Sequence, residues 1–215
     1  MGGKLNMERF PMAFAEAVVL KEPWEVRRRL AELQLTLEGL LKVRAKALSA
    51  GADATPYHPA NAAGTFAYQH GTWALRDEFT GENWKLDRPN GVEVIRNEKL
   101  KLSVVFANVD VACNDEIKPK PRSRKGSGAE RVCGGNLFPW LPEYAPVQAQ
   151  GEATFYLMVA ENGAAELTRP VVDKGTFSAY PERIYLSDGS DLDRQPVVLD
   201  EGEVADGFDP QVVRK

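Results

Sequence analysis

The chain has 215 residues, of which 43% are apolar and 27% are charged, and its formal net charge is −4. These values are typical of a soluble globular protein with one substantial domain or two small ones. They exclude a chain-wide excess of positive charge, and no apolar run approaches the roughly 20 residues that a membrane-spanning helix needs. Two cysteines are too few for a disulfide framework, so we expect a reducing, cytoplasmic setting.

The N-terminal part has helical periodicity. Pro11 could open a short helix that reaches Val19. Pro23 suits the first position of a long helix over residues 23–49, with Gly51 as its stop. Its apolar residues step by four and three, which predicts one buried stripe. A coiled-coil seam in a homodimer is the alternative, although the pattern spans fewer than three heptads. The stripe consists of Val26, Leu30, Leu33, Leu37 and Leu40.

A second helix is predicted over residues 59–79, with Gly81 just beyond its end. We expect it to form an antiparallel pair with the first helix. His58, beside Pro59, is interpreted as a cap. His70 has Phe66 and Trp73 as helical neighbours, which favours a histidine packed in the core.

From Gly91 the pattern alternates, which is typical of strands. Residues 92–95 and 100–106 predict two strands joined at Asn97-Glu98. The apolar face changes after Phe106, and a β-bulge near Ala107 or Asn108 would explain the change.

A further hairpin is predicted over residues 153–172, because Asn162-Gly163 is a strong signal for a type I′ turn. Pro170 indicates that the end of the second strand lies at a sheet edge or outside the ladder. Residues 184–186 offer one more strand.

The fold class predicted is α+β, with an N-terminal helical hairpin packed on a mostly antiparallel sheet of four to six strands. Residues 1–187 would form one domain, helical over about 1–82 and sheet over about 91–187. Residues 188–215 carry eight acids and three bases, which indicates an acidic tail that is partly disordered or folds on a partner.

A basic loop over residues 118–131 carries six bases and one acid. It is open to three interpretations: a solvated linker, a contact with nucleic acid or an acidic protein surface, and a site masked by the acidic tail. The alternating Lys-Pro pattern at its start predicts an extended arm, suited to backbone phosphates rather than base edges. The candidate partner-binding residues are Lys118, Lys120, Arg122, Arg124, Lys125 and Arg131.

Catalytic candidates are few. Asp110, Glu116 and Lys118 have the residue types with which metal-dependent nucleases hold Mg²⁺ and orient water. A zinc site from Cys113, Cys133, His58 and His70 is disfavoured by spacing, because structural sites usually supply ligands in close pairs. Phosphate-binding glycine motifs are absent, and no cofactor or resident metal is expected.

Three strings in the second half of the chain resemble those of uncharacterised proteins carried on proteobacterial prophages and integrative elements. They are residues 108–113, 131–138 and 182–188 (NVDVAC, RVCGGNLF and ERIYLSD). The resemblance implies a cytoplasmic accessory protein and brings no catalytic residue. Because the basic loop is segregated from the acidic tail, we expect a non-enzymatic binding protein that contacts its partner through this loop. A metal-dependent phosphodiester enzyme and an acidic-tail inhibitor of a nucleic-acid-binding protein are the alternatives.

Overall fold

A computed structural model describes residues 17–136 and 152–192, which fold around a mixed sheet. Its seven strands are arranged in the order β1-β7-β6-β5-β4-β3-β2. They are β1 (Val18–Leu20), β2 (Lys85–Asp87), β3 (Val94–Asn97), β4 (Leu102–Val109), β5 (Ala153–Ala160), β6 (Ala165–Asp173) and β7 (Thr176–Ser187). The helices are α1 (Pro23–Glu32), α2 (Leu37–Ala52), α3 (Ala62–Phe79) and α4 (Ser127–Val132). The α+β class is confirmed.

The sheet has more strands than predicted because two edge strands are only three residues long. β1 pairs in parallel with β7, and β2 pairs antiparallel with β3. Val18 and Val19 therefore lie in a strand and not at the end of a helix, and the rest of that predicted helix lies outside the described residues. β4 and β5 are also parallel, so the sheet is mixed.

The predicted long first helix is two helices. Gln34 has a positive φ of 55°. The Gln34 N–H donates to the Ala31 carbonyl, and the Leu35 N–H donates to the Leu30 carbonyl. These bonds form a Schellman motif that ends α1. Thr36 then accepts a hydrogen bond from the Gly39 N–H and begins α2. The region predicted to form a two-helix hairpin therefore contains three helices, α1, α2 and α3.

One face of the sheet, the helix face, packs against α1, α2 and α3. Val26, Leu30 and Leu33 are buried in this core together with strand residues of β3 to β7. The apolar stripe is thus used within the chain, so the coiled-coil seam predicted as an alternative is wrong. His70 and Trp73 lie on the outer side of α3 and are exposed, so His70 is not a core histidine.

The opposite face, the loop face, is covered by residues 110–136, which we call the covering segment. Val105, Ala107 and Val109 of β4 pack there with Ala112 and Ala129 of that segment. β4 is consequently buried on both sides, and its register with β5 is continuous from Leu102 to Val109. The predicted bulge is wrong: the change in apolar pattern reflects a strand with two buried faces.

The hairpin of β5 and β6 is confirmed, with a different turn. Only Gly163 has a positive φ, 85°, and its N–H donates to the Ala160 carbonyl. This geometry is a three-residue loop and not the type I′ turn. Pro170 lies beyond the last β5–β6 pair, Tyr156 with Thr168, and at an irregularity in the β6–β7 register.

A buried ion pair lies on the loop face. The side chains of Glu166 and Arg183 are 0% exposed. Glu166 accepts from Arg183 Nε at 3.0 Å, from Arg183 Nη2 at 2.7 Å and from the Thr168 hydroxyl at 2.6 Å. The covering segment completes the network: the Cys113 N–H donates to Glu166, and Arg183 Nη1 donates to the Asn114 carbonyl.

The start of the predicted acidic tail is folded. Asp191 bonds to the guanidinium of Arg44, a buried residue of α2 that also donates to the Gly163 carbonyl. Arg44 holds the pKa of Asp191 far below its usual value. Residues 193–215 of that predicted tail lie outside the described residues.

Two glycines of α3 give a matched test of how closely this helix packs on β4. A Cβ at Gly71 would lie 2.5 Å from two ring carbons of Phe106, whereas at Gly64 the nearest atom is 4.0 Å away. We expect Gly71→Ala to destabilise by about 1–3 kcal/mol, since overpacking outweighs helix propensity. Gly64→Ala should gain up to about 1 kcal/mol. Urea unfolding measures both, and equal effects would contradict the close packing.

Loss of one partner of the Glu166–Arg183 pair should leave a buried charge. We expect Arg183→Met to lower the free energy of unfolding by about 3–5 kcal/mol. The double variant Glu166→Leu/Arg183→Met should lose less than Arg183→Met alone, because no uncompensated charge remains. The exposed pair Lys42–Glu78 serves as a control, and Lys42→Met should change stability by less than about 1 kcal/mol. Chemical denaturation distinguishes these outcomes.

Candidate functional site

The covering segment is tied to the sheet by its main chain. Pro121 forms an antiparallel bridge with Val109 at the end of β4. The Asp110 N–H donates to the Lys120 carbonyl, and the Arg122 N–H donates to the Asn108 carbonyl, both at 3.1 Å. The Lys-Pro stretch therefore continues the sheet edge for a few residues.

Two further bonds hold the segment. The Tyr180 hydroxyl donates to the Pro119 carbonyl, and the Lys125 N–H donates to the Gly175 carbonyl at 2.8 Å. Pro119 is buried. The stretch therefore does not project from the protein as a separate arm: it forms part of the layer that covers the loop face.

Five of the six predicted partner-binding residues have exposed side chains, and we call them the basic surface. They are Lys118, Lys120, Arg122, Arg124 and Arg131. Among the residues that the structure describes, only Arg122 has a carboxylate partner, the exposed Glu161 at 3.0 Å. Lys118 donates to the Asp115 carbonyl, and Arg131 donates to the Asn90 side chain. The charge of the basic surface is therefore largely uncompensated by described carboxylates.

Lys125, the sixth, is placed differently. Its side chain is half-buried, and its Nζ lies 5.5 Å from the ring centre of Tyr156 and 5.7 Å from that of Phe177. No described residue gives it a carboxylate or hydrogen-bond partner. Burial lowers the pKa of Lys125 to about 8.

Lys125 lines a cavity of about 320 Å³ beside β4. The β3–β4 ladder ends at the pair Ile95 with Val104, and the covering segment rejoins the strand only at Val109. The cavity occupies this interval. Its walls include Tyr68, Phe106, Asn108, Ser123, Arg124 and Tyr156.

Two other ionisable groups lie beneath Lys125. Cys133 Sγ is 3.9 Å from the Tyr156 hydroxyl, and both side chains are buried. Burial raises the pKa of the Cys133 thiol to about 12 and raises that of Tyr156 as well. Both groups are therefore neutral at physiological pH, and Lys125 keeps no anionic neighbour among them. Sequence reasoning missed Tyr68 and Tyr156, because α3 and β5 meet this cavity only through tertiary packing.

Each of the catalytic candidates has its own local setting. Asp110 accepts from the Val111 and Lys120 main-chain N–H groups, both at 2.7 Å, so its carboxylate closes the loop. Glu116 and Lys118 are exposed, and the Glu116 N–H belongs to a turn capped by Asn114. Within residues 17–136 and 152–192, no group of three His, Cys, Asp or Glu side chains could hold a metal ion.

The residues of the disfavoured zinc site also have separate local partners. His58 accepts from the Thr55 N–H at 3.0 Å and is exposed, in keeping with a local cap. Cys113 donates to the Ala165 and Ser187 carbonyls, and burial raises the pKa of its thiol to about 12. Both cysteines are free thiols.

No family model, no curated protein and no solved structure matches the chain. Across the described helices, none has the length and apolar character required to cross a bilayer. The site must therefore be interpreted from its own geometry and charge.

The lowered pKa of Lys125 has a direct chemical consequence, because only the neutral amine attacks electrophiles. We expect reductive methylation of Lys125 in the folded protein to decline as the pH falls through about 8. In the denatured chain the decline should come near the ordinary lysine pKa of about 10.4. Peptide mass spectrometry over a pH series gives both profiles, and coincident profiles would show that burial does not perturb this amine.

Proposed function

We propose that this protein is a non-enzymatic binding protein whose basic surface contacts the phosphate backbone of nucleic acid. The observation that carries the proposal is the set of five exposed cations on one short segment, of which only Arg122 has a described carboxylate partner. When uncompensated cations of this kind bind phosphates, they displace the counterions condensed on the nucleic acid. The release of these counterions supplies affinity without sequence specificity.

The attachment of the segment supports this proposal. Pro119, Pro121 and Lys125 are held through main-chain groups, so the cations project from an ordered frame. An ordered frame loses less conformational entropy on binding than a free arm does. The proposed contact is therefore a pre-formed surface and not a segment that folds on its partner.

An acidic protein surface is the second candidate. Ile117, 54% exposed, lies beside Lys118 and offers an apolar contact of the kind that protein interfaces bury. We favour nucleic acid because the rest of the basic surface is charged and carries no aromatic residue. The absence of aromatics also argues for duplex phosphates over stacked single strands.

An accessory role in a mobile element, which the resemblance of the three strings implies, belongs to the same proposal. Two free thiols, both buried or half-buried, suit a cytoplasmic location. The inhibitor alternative depends on residues 193–215, outside the described residues, and stays a prediction. The phosphodiester enzyme gains no support, because Asp110 is engaged by main-chain donors.

The test is a salt titration of binding to a fluorescent, random-sequence DNA duplex, followed by anisotropy. We expect the wild-type affinity to fall steeply with salt, by a log–log slope of about 0.9 for each phosphate contacted. Replacement of the basic surface (Lys118, Lys120, Arg122, Arg124 and Arg131) by alanine should abolish most of that slope.

The matched control replaces five exposed cations elsewhere, so that the net charge changes equally. Arg27, Arg28, Lys42, Lys46 and Lys99 are suitable. This variant should keep most of the wild-type slope. Equal losses in both variants, or no binding by the wild type at low salt, would contradict the proposal. Preferential binding of polyglutamate over DNA would favour the acidic protein partner instead.

A further inference from the structure

The cavity beside β4 is lined by two cationic side chains, and no described carboxylate neutralises either of them. Arg124 and Lys125 both line it, and neither has a carboxylate within ion-pair distance among the described residues. Cys133 and Tyr156, the nearest ionisable groups beneath, are neutral near pH 7 because burial raises the pKa of both. An unpaired cation in such a site is costly unless a counterion joins it.

The two cations differ in their surroundings, and they mark the mouth and the interior of the cavity. Arg124 is exposed, and its side chain lies against Gly175, so it stands at the mouth. Lys125 lies deeper, over the rings of Tyr156 and Phe177. These rings hold the ammonium in place through cation–π attraction without neutralising its charge.

The remaining walls combine an accessible aromatic side chain with polar groups. Tyr68, 41% exposed, lines the cavity, and Ser123 and Asn108 are polar residues of its wall. The volume of about 320 Å³ is near the lower end of the range of about 300–1,000 Å³ typical of small-molecule sites. Such a site, mostly apolar with a few convergent polar groups, fits one small molecule and not a polymer.

We propose that this cavity binds a small organic anion in which a planar ring carries a phosphate or carboxylate group. Lys125 and Arg124 contact the anionic group, and Tyr68 lies against the ring. Of the residues of the basic surface, only Arg124 also lines the cavity, whereas Lys125 lies off that surface. The inference can therefore be tested separately from the proposed nucleic-acid contact, through Lys125.

The test uses the full-length protein and three probes in isothermal titration calorimetry: 5′-AMP, benzoate and inorganic phosphate. Adenosine serves as the ring without charge. We expect 5′-AMP or benzoate to bind in the micromolar to millimolar range, more tightly than phosphate or adenosine. Lys125→Met should weaken that binding at least tenfold, which corresponds to about 1.4 kcal/mol. Lys120→Met, at an exposed lysine of the same segment, should leave it unchanged.

A second measurement keeps the test valid if Lys125→Met does not fold. In the wild-type protein, saturating 5′-AMP or benzoate should slow reductive methylation at Lys125 and leave Lys120 unaffected. The proposal is overturned if none of the probes binds at millimolar concentration, if Lys125→Met binds as tightly as wild type, or if Lys125 is not protected. The nucleic-acid proposal is tested separately, because Lys125→Met should keep the salt slope on DNA while Lys118→Ala/Lys120→Ala reduces it.

Discussion

The buried pair of Glu166 and Arg183 is the interaction on which the loop face depends. Two charges taken out of water need every remaining donor and acceptor satisfied, because an unpaired buried charge costs several kcal/mol. The strands β6 and β7 supply the pair itself and Thr168, but the Cys113 N–H and the Asn114 carbonyl come from the covering segment. The sheet and its cover are therefore interdependent, and the ion pair fixes the covering segment near its start, at Cys113 and Asn114.

That path decides where the basic residues point. The Pro119 carbonyl is bonded to Tyr180, and the main chains of Lys120 and Arg122 are bonded at the end of β4. The side chains of the exposed cations then face water, where their charge is solvated. Lys125 follows at the point where its own N–H bonds to Gly175, and its side chain turns over the rings of Tyr156 and Phe177. Adjacent residues of one basic run thus differ in solvation: Arg124 is exposed at the mouth of the cavity, and Lys125 is half-buried inside it.

The helix face depends on a different constraint, close packing. α3 approaches β4 at Gly71, where only a hydrogen atom fits against the ring of Phe106. This approach brings Tyr68, one turn earlier, to the rim of the cavity. On one edge, β4 pairs with β5 over its whole length. On the other edge, β3 pairs only with the first part of β4, so an unpaired interval remains between the end of the β3 ladder and the bridge at Pro121.

Local patterns in the sequence were sufficient for the α+β class, the end of α3 at Phe79, the hairpin around Asn162-Gly163 and the exposure of five loop cations. Each depends on periodicity, turn chemistry or solvation of charge, which act over a few residues. The two buried faces of β4, the exposed position of His70 and the inward turn of Lys125 were decided by tertiary structure. Each of these depends on which surface of a distant segment lies opposite, and spacing along one chain carries no record of that.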